Sequence, residues 1–158
     1  MKRTIELELY EQHEKVNFYT FRYVDADVGN SEFDIFFDSY NIEEFTDDID
    51  IILYWIDKIG KDGAHDRNFR PEIGSLMALP METSKLRLYT FKVDDGTVIL
   101  GNGGHKTTAA FNDDPNLNAH AKNLLSIGSI LMSQIKKGKV SKYKNTLFEL
   151  RQISFEAI

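Results

Sequence analysis

The order of hydrophobic patterns predicts one α+β domain: a strand pair, two amphipathic helices, a group of three strands, then a last helix with a tail. Three observations carry this reading. Thr4 to Tyr10 alternates strictly between apolar and polar residues, the period of a half-buried strand. Ile42, Phe45, Ile49, Ile52, Ile56 and Ile59 recur at helical spacing. The stretch Lys85 to Thr108, KLRLYTFKVDDGTVILGNGGHKTT, reads as a β-hairpin closed by Asp94-Asp95-Gly96, where Asp and Gly tolerate the backbone of a reversal. A chain of 158 residues, 42% hydrophobic and 28% charged, can bury one core of ordinary size.

The first strand is expected to pair with a second over Val16 to Val24, as a hairpin. After a turn-rich break, Phe33, Phe36, Phe37 and Tyr40 lie on one helix face, so a short helix is predicted over 31–40 with Ser31 or Asn30 as its cap. A second helix follows, with Asn41 as cap, Glu44 at the capping-box position and Gly60 as its end. Its stripe reads as core. Its outer carboxylates, Glu43, Glu44, Asp47, Asp48, Asp50 and Asp57, read as solvated charge, because no His or Cys accompanies them at ligand spacing.

Lys61 to Pro71, with His65, Arg67 and Arg70, reads as a polar connection, and as the kind of loop on which substrate contacts sit. Ile73 to Leu79 reads as one strand leading to the hairpin. Asp113-Asp114-Pro115 is a helix start, since Pro suits the first turn and Asp the positive end of the dipole, and the predicted helix runs over 115–137. The lysines that follow, from Lys136 to Lys144, complement that dipole or form a phosphate-contacting patch. The tail from Thr146 to Ile158 alternates loosely, as an edge strand or a segment docked on the core.

Composition narrows the function classes. Without cysteine there are no disulfides or thiolate metal sites, and His13, His65, His105 and His120 lack the spacing of a zinc motif, so no metal and no cofactor are expected. With no long apolar run and no basic leader followed by an apolar segment, the expectation is a cytoplasmic protein without a membrane partner. Net charge is −6, but unevenly spread: residues 1–60 hold 5 Lys/Arg against 15 Asp/Glu, and residues 61–158 hold 14 against 10. A basic second half suits RNA, while the acidic first half repels it or attracts a basic partner.

The hairpin's end concentrates the chemistry. Gly101-Asn102-Gly103-Gly104 precedes His105, Lys106, Thr107 and Thr108, without the spacing of a Walker loop or a dinucleotide fingerprint. Lys and Arg bind phosphate oxygens, and a His titrating near neutrality can pass a proton to a leaving group. The plainer reading is a tight strand exit with a solvated Lys106 and a surface His105.

In the order of its elements and in the run LRLYTFKVDDGTVILGNGGHKTT, the chain resembles the RelE/HigB-like toxin family, over roughly residues 30–137 and specifically between Lys85 and Thr108. The resemblance implies one RelE-like domain over residues 1–158 with an antiparallel sheet, the hairpin of 1–24 and the tail of 138–158 being extensions. It implies a toxin-type, metal-independent endoribonuclease acting on messenger RNA, free or on the ribosome, and restrained by an antitoxin protein. In that role Arg87 and Lys106 stabilise the phosphate in the transition state and His105 is general acid or base. Tyr89 stacks a base or orients a group, and Arg70, Lys85 and Thr107 hold the RNA. The rival reading is a non-catalytic protein-interaction module on the same scaffold, using the acidic helical half or the hairpin. Convergence of Arg87, His105 and Lys106 on one face separates the two.

Overall fold

The computed structural model describes residues 1–26, 29–106, 114–148 and 152–158. Among the described residues, nine strands and three helices follow in the order β1 (Lys2–Gln12), β2 (Asn17–Tyr23), α1 (Glu32–Tyr40), α2 (Thr46–Asp62), β3 (Arg70–Ile73), β4 (Leu76–Ala78), β5 (Leu86–Asp94), β6 (Thr97–His105), α3 (Pro115–Lys136), β7 (Ser141–Tyr143), β8 (Thr146–Phe148) and β9 (Gln152–Glu156). The α+β class read from the sequence is the observed one. Seven strands form a single sheet in the order β3-β4-β5-β6-β2-β1-β9, and β7 and β8 make a separate hairpin.

Two features of the sheet differ from expectation. Neighbours pair antiparallel except β2 and β6, which run parallel through Asn17 with Thr97, Phe18 with Val98 and Tyr19 with Ile99, so the sheet is mixed. The N-terminal hairpin and the tail are therefore structural members rather than extensions: β2 joins the centre of the sheet, and β9 pairs with β1 from Lys2–Glu156 to Glu6–Gln152. The physical reason is burial. Tyr19, Phe21, Ile153 and Phe155 carry apolar side chains that only a shared sheet removes from water.

Helices cover both faces. On one, α3 and the β7–β8 hairpin enclose Ile5, Tyr19, Phe21, Tyr89, Phe91, Ile99, Leu124 and Ile127. On the other, α1 and α2 enclose Phe18, Leu86, Leu88, Val98 and Leu100 with Phe33, Phe36, Ile49, Ile52, Ile56 and Ile59. The central strands thus read as nearly continuous apolar runs.

Local chemistry explains most boundaries. Ser31 caps α1, its hydroxyl oxygen accepting from the Asp34 N–H at 3.1 Å. Asp114 caps α3 by accepting from the N–H groups of Asn116 and Leu117, with Pro115 in the first turn. The second helix begins later than its stripe suggests: Glu43–Phe45 is a separate 3-10 turn, and α2 continues past Gly60 to Asp62, ending at Gly63 with φ of 110°. The predicted strand Ile73 to Leu79 is instead a tight hairpin between β3 and β4, because Gly74 takes φ of 56° and reverses the chain.

The helix α3 lies close on the sheet because glycines face it. A Cβ on Gly128 would stand 2.3 Å from the Phe91 ring, and one on Gly101 would stand 2.8 Å from Leu124 Cδ2. Both layers can be tested through their tightest points. Ile52, fully buried beneath α2, should not tolerate an unpaired charge, so Ile52→Asp is expected to unfold or aggregate the protein in circular dichroism and size-exclusion measurements. Gly128→Leu should lose about 1–3 kcal/mol in denaturant titration, since the added atoms must displace Phe91 or lift α3.

Candidate functional site

Strand β5 sends alternate side chains to opposite faces, and its pairing with β6 decides which groups meet. Leu86 lies opposite His105 and Arg87 opposite Gly104. Directly opposed residues share a face. Arg87 therefore joins the α3 side with Tyr89 and Phe91, while His105 joins the α1–α2 side, where its ring stands edge-on to Phe45 at 5.8 Å between centroids. The three residues expected to act together do not converge. A slip in register between Leu88 and Thr90 is the cause: the pairing of Thr90 with Leu100 and Phe91 with Ile99, continued unbroken, would oppose His105 to Lys85 and so place it on the face of Arg87.

The α3 side does gather cations. Tyr89 lies opposite Ala78, and Ala78 opposite Arg70, so Arg70, Tyr89 and Arg87 share this face. Lys106 closes the strand end: its N–H donates to the Lys85 carbonyl at 2.8 Å, and its Nζ donates to the Met81 carbonyl at 2.9 Å. Burial, then the charges of Arg87 and Arg70, hold the Lys106 ammonium below its ordinary pKa. Burial likewise pushes the Tyr89 hydroxyl up to about 12. Arg87 is 4% exposed, and its Nη1 is buried with no hydrogen-bond partner among the described residues. Arg70 Nε stands 3.7 Å from Glu72 Oε1, itself buried without a hydrogen bond.

Lys85 is exposed at the rim, and Thr107 lies outside the described residues. The glycines before His105 serve packing. A Cβ on Gly104 would meet Asn116 and Leu117 of α3 at 3.2 and 3.3 Å, and one on Gly103 would fall 1.8 Å from the Arg87 carbonyl oxygen.

The loop after α2 is largely satisfied within itself. Arg67 and Asn68 both donate to the Asp62 carboxylate at 2.9 Å, and His65 places Nε2 3.0 Å from the Asp62 carbonyl and Nδ1 3.5 Å from Asp95. Asp62, His65 and Asp95 border an open cleft of about 290 Å³ together with Lys15, Gly63, Gly96 and Asn145. Among the described residues no group of three or more His, Asp or Glu converges as metal ligands, and no helix is long and apolar enough to cross a membrane.

Two features escaped the sequence reading. Asp48, read there as surface charge, is buried: its Oδ1 accepts from Ser84 Oγ at 2.6 Å and from the Lys85 N–H at 2.8 Å. Helical spacing gives no sign of partners so distant in sequence. The second feature is the outer surface of the helices, where Leu53 is 45% and Tyr54 54% exposed among Asp47, Asp50 and Asp57. Comparison of the chain with protein-family models, with curated proteins and with solved structures finds no match in any of the three.

Burial disfavours the charged form of Asp48, but the hydrogen bonds from Ser84 and Lys85 prevail and hold its pKa below the ordinary value of 3.8. A depressed folded-state pKa contributes stability that is fully present above the unfolded value and is lost as pH falls through the folded one. Asp48→Ala is therefore expected to cost about 1.5–3 kcal/mol at pH 7. The gap to the wild type should begin to close as pH drops below about 4 in denaturant titrations across pH.

Proposed function

We propose that the chain is a non-catalytic protein-interaction module whose helical face docks a basic partner protein. The observation that carries this reading is the pairing of exposed apolar anchors with a surplus of acidic charge. Leu53 and Tyr54 on α2 and Ile42 before it, each at least 45% exposed, stand among exposed Glu43, Glu44, Asp47 and Asp50, while Asp57 further along is paired with Lys61 at 3.0 Å. Large apolar side chains ringed by charge are the usual anatomy of an interface, with aromatic residues as frequent anchors. The excess of 15 acidic over 5 basic residues in residues 1–60 favours and steers a partner of opposite sign.

The endoribonuclease reading drawn from the RelE/HigB-like resemblance is the second one, favoured by the grouping of Arg70, Arg87 and Lys106. It has less support, because the transfer of a proton from a ribose hydroxyl needs an acid–base group beside those cations, and His105 faces the other side of the sheet.

Affinity capture with the tagged protein, compared with Leu53→Ala/Tyr54→Ala and Asp47→Lys/Asp50→Lys variants, tests the proposal. A basic protein should be retained by the wild type, released by salt, and bound at least about tenfold more weakly by each variant at unchanged melting temperature. Retention indifferent to both variants would overturn this reading. So would RNA cleavage by the purified wild type, with or without ribosomes, that Lys106→Ala abolishes.

A further inference from the structure

The acidic face of α2 has its complement on the same chain. From Pro115 to Phe148 the sequence holds six lysines and no Asp or Glu, and five of the six fall from Lys136 to Lys144. Lys142 is held by Asp94 at 2.6 Å. Lys136, Lys137, Lys139 and Lys144 are exposed, and none of them has an ion pair among the described residues. Two apolar groups stand among these ammonium groups. Tyr143 is 66% exposed, with the Lys144 Nζ 5.6 Å from its ring centre, and Met132 is 38% exposed, one helical turn before Lys136.

This basic end is preformed. Gly138, with φ of 74°, turns the chain from α3 towards β7, and Lys144, with φ of 53°, lies in the turn of the β7–β8 hairpin. Val140 and Leu147 anchor the hairpin in the core beneath α3, and the Asn145 side chain donates to the Lys15 carbonyl at 3.0 Å. A surface already ordered loses less on association. Its counterpart on α2 is equally fixed: Asp47, Asp50, Leu53 and Tyr54 recur at three- and four-residue spacing on the exposed side of a helix whose opposite stripe is core. Glu43, Glu44, Asp47 and Asp50 have no ion pair among the described residues. The two surfaces lie on opposite faces of the sheet, since α2 covers one and α3 with the β7–β8 hairpin the other. Neither can neutralise the other within one molecule.

We propose that the basic end, formed by the last turns of α3 and the β7–β8 hairpin, docks on the acidic α2 face of a second copy of this chain. The inference rests on the reading of α2 as a docking face and names a second copy as the partner. Four ammonium groups around Tyr143 and Met132 meet four carboxylates around Leu53, Tyr54 and Ile42, so opposite charges pair at the rim while apolar anchors leave water together. A two-fold contact of α2 with itself would instead set carboxylate against carboxylate, which is repulsive. Because different surfaces on opposite faces meet, the contact is head-to-tail, and each docked copy leaves one basic end and one acidic face free for the next. Two copies cannot close such a contact on themselves.

Sedimentation velocity of the untagged protein over a dilution series at low salt tests the proposal. The wild-type mass should rise with concentration beyond two copies and return to one copy in about 1 M salt, where screening acts within about 3 Å. Leu53→Ala/Tyr54→Ala, which lacks the anchors of the face, and Lys137→Ala/Tyr143→Ala, which lacks those of the basic end, should each self-associate at least about tenfold more weakly at unchanged melting temperature. Mixed in equal amounts, the two variants should form pairs and nothing larger, because one intact basic end then meets one intact face. A wild type that stops at two copies, association that survives in Lys137→Ala/Tyr143→Ala, or mixed variants that stay apart would overturn the contact. So would a wild type that remains single at every concentration. If that single protein still captures another basic protein through Leu53 and Tyr54, the docking face stands and only the second copy is excluded as its partner.

Discussion

Three residue pairs join the two parts of the sheet. Asn17, Phe18 and Tyr19 of β2 meet Thr97, Val98 and Ile99 of β6, and on this parallel step rests the union of β1, β2 and β9 with β3 to β6. So short a ladder is reinforced by further ties at Asn17, Thr97 and Tyr19 and at the adjoining Thr20. The Asn17 N–H donates to the Gly96 carbonyl, and its side chain and the Thr97 hydroxyl both donate to the Asn145 carbonyl. The Tyr19 hydroxyl accepts from the Leu147 N–H, and Thr20 donates to the Leu100 carbonyl. A central strand pair anchored by buried polar groups specifies one register, because a slip would leave those donors and acceptors unpaired in the core.

The same step decides where function can sit. Because β2 and β6 send their following helices to opposite faces, both faces of the central strands are buried, and a side chain's fate follows from its parity along the strand. Leu86 and Leu88 enter one core, and Tyr89 and Phe91 the other. Arg87 shares the parity of Tyr89, and so a charged residue is held where an apolar one would pack. The glycines of β6 let the helix approach: with Gly101 and Gly104 presenting no side chains, α3 settles on the strand through Asn116, Leu117 and Leu124.

What could be read from the sequence was what is local. Period-2 alternation marks β1, the Asp94-Asp95-Gly96 reversal marks the hairpin of β5 and β6, and the caps Ser31 and Asp114 announce α1 and α3 through bonds spanning two or three residues. Ile73 to Leu79 failed because Gly74 takes a left-handed backbone inside an otherwise apolar run, which composition does not distinguish from a strand interior. The parallel pairing failed because nothing near Asn17 refers to Thr97. For the site, the residue types were legible and their faces were not. One slip of register beyond Leu88 moves His105 across the sheet, and no periodicity in LRLYTFKVDDGTVILGNGGH marks its position.

The acidic helices and the cationic strand end lie on opposite faces, yet one residue belongs to both. Asp48 is rooted in α2, in the same turns as Asp47 and Asp50, and its carboxylate holds the Ser84 hydroxyl and the Lys85 N–H where β5 begins. Arg87 follows two residues later, and the Lys85 carbonyl accepts the N–H of Lys106. Asp48 also acts directly on the Lys106 charge. A displacement of α2 therefore reaches the cations through two hydrogen bonds and a strand start, whereas a change at Asp57 or Tyr54, further along the helix, has no such path among the described contacts.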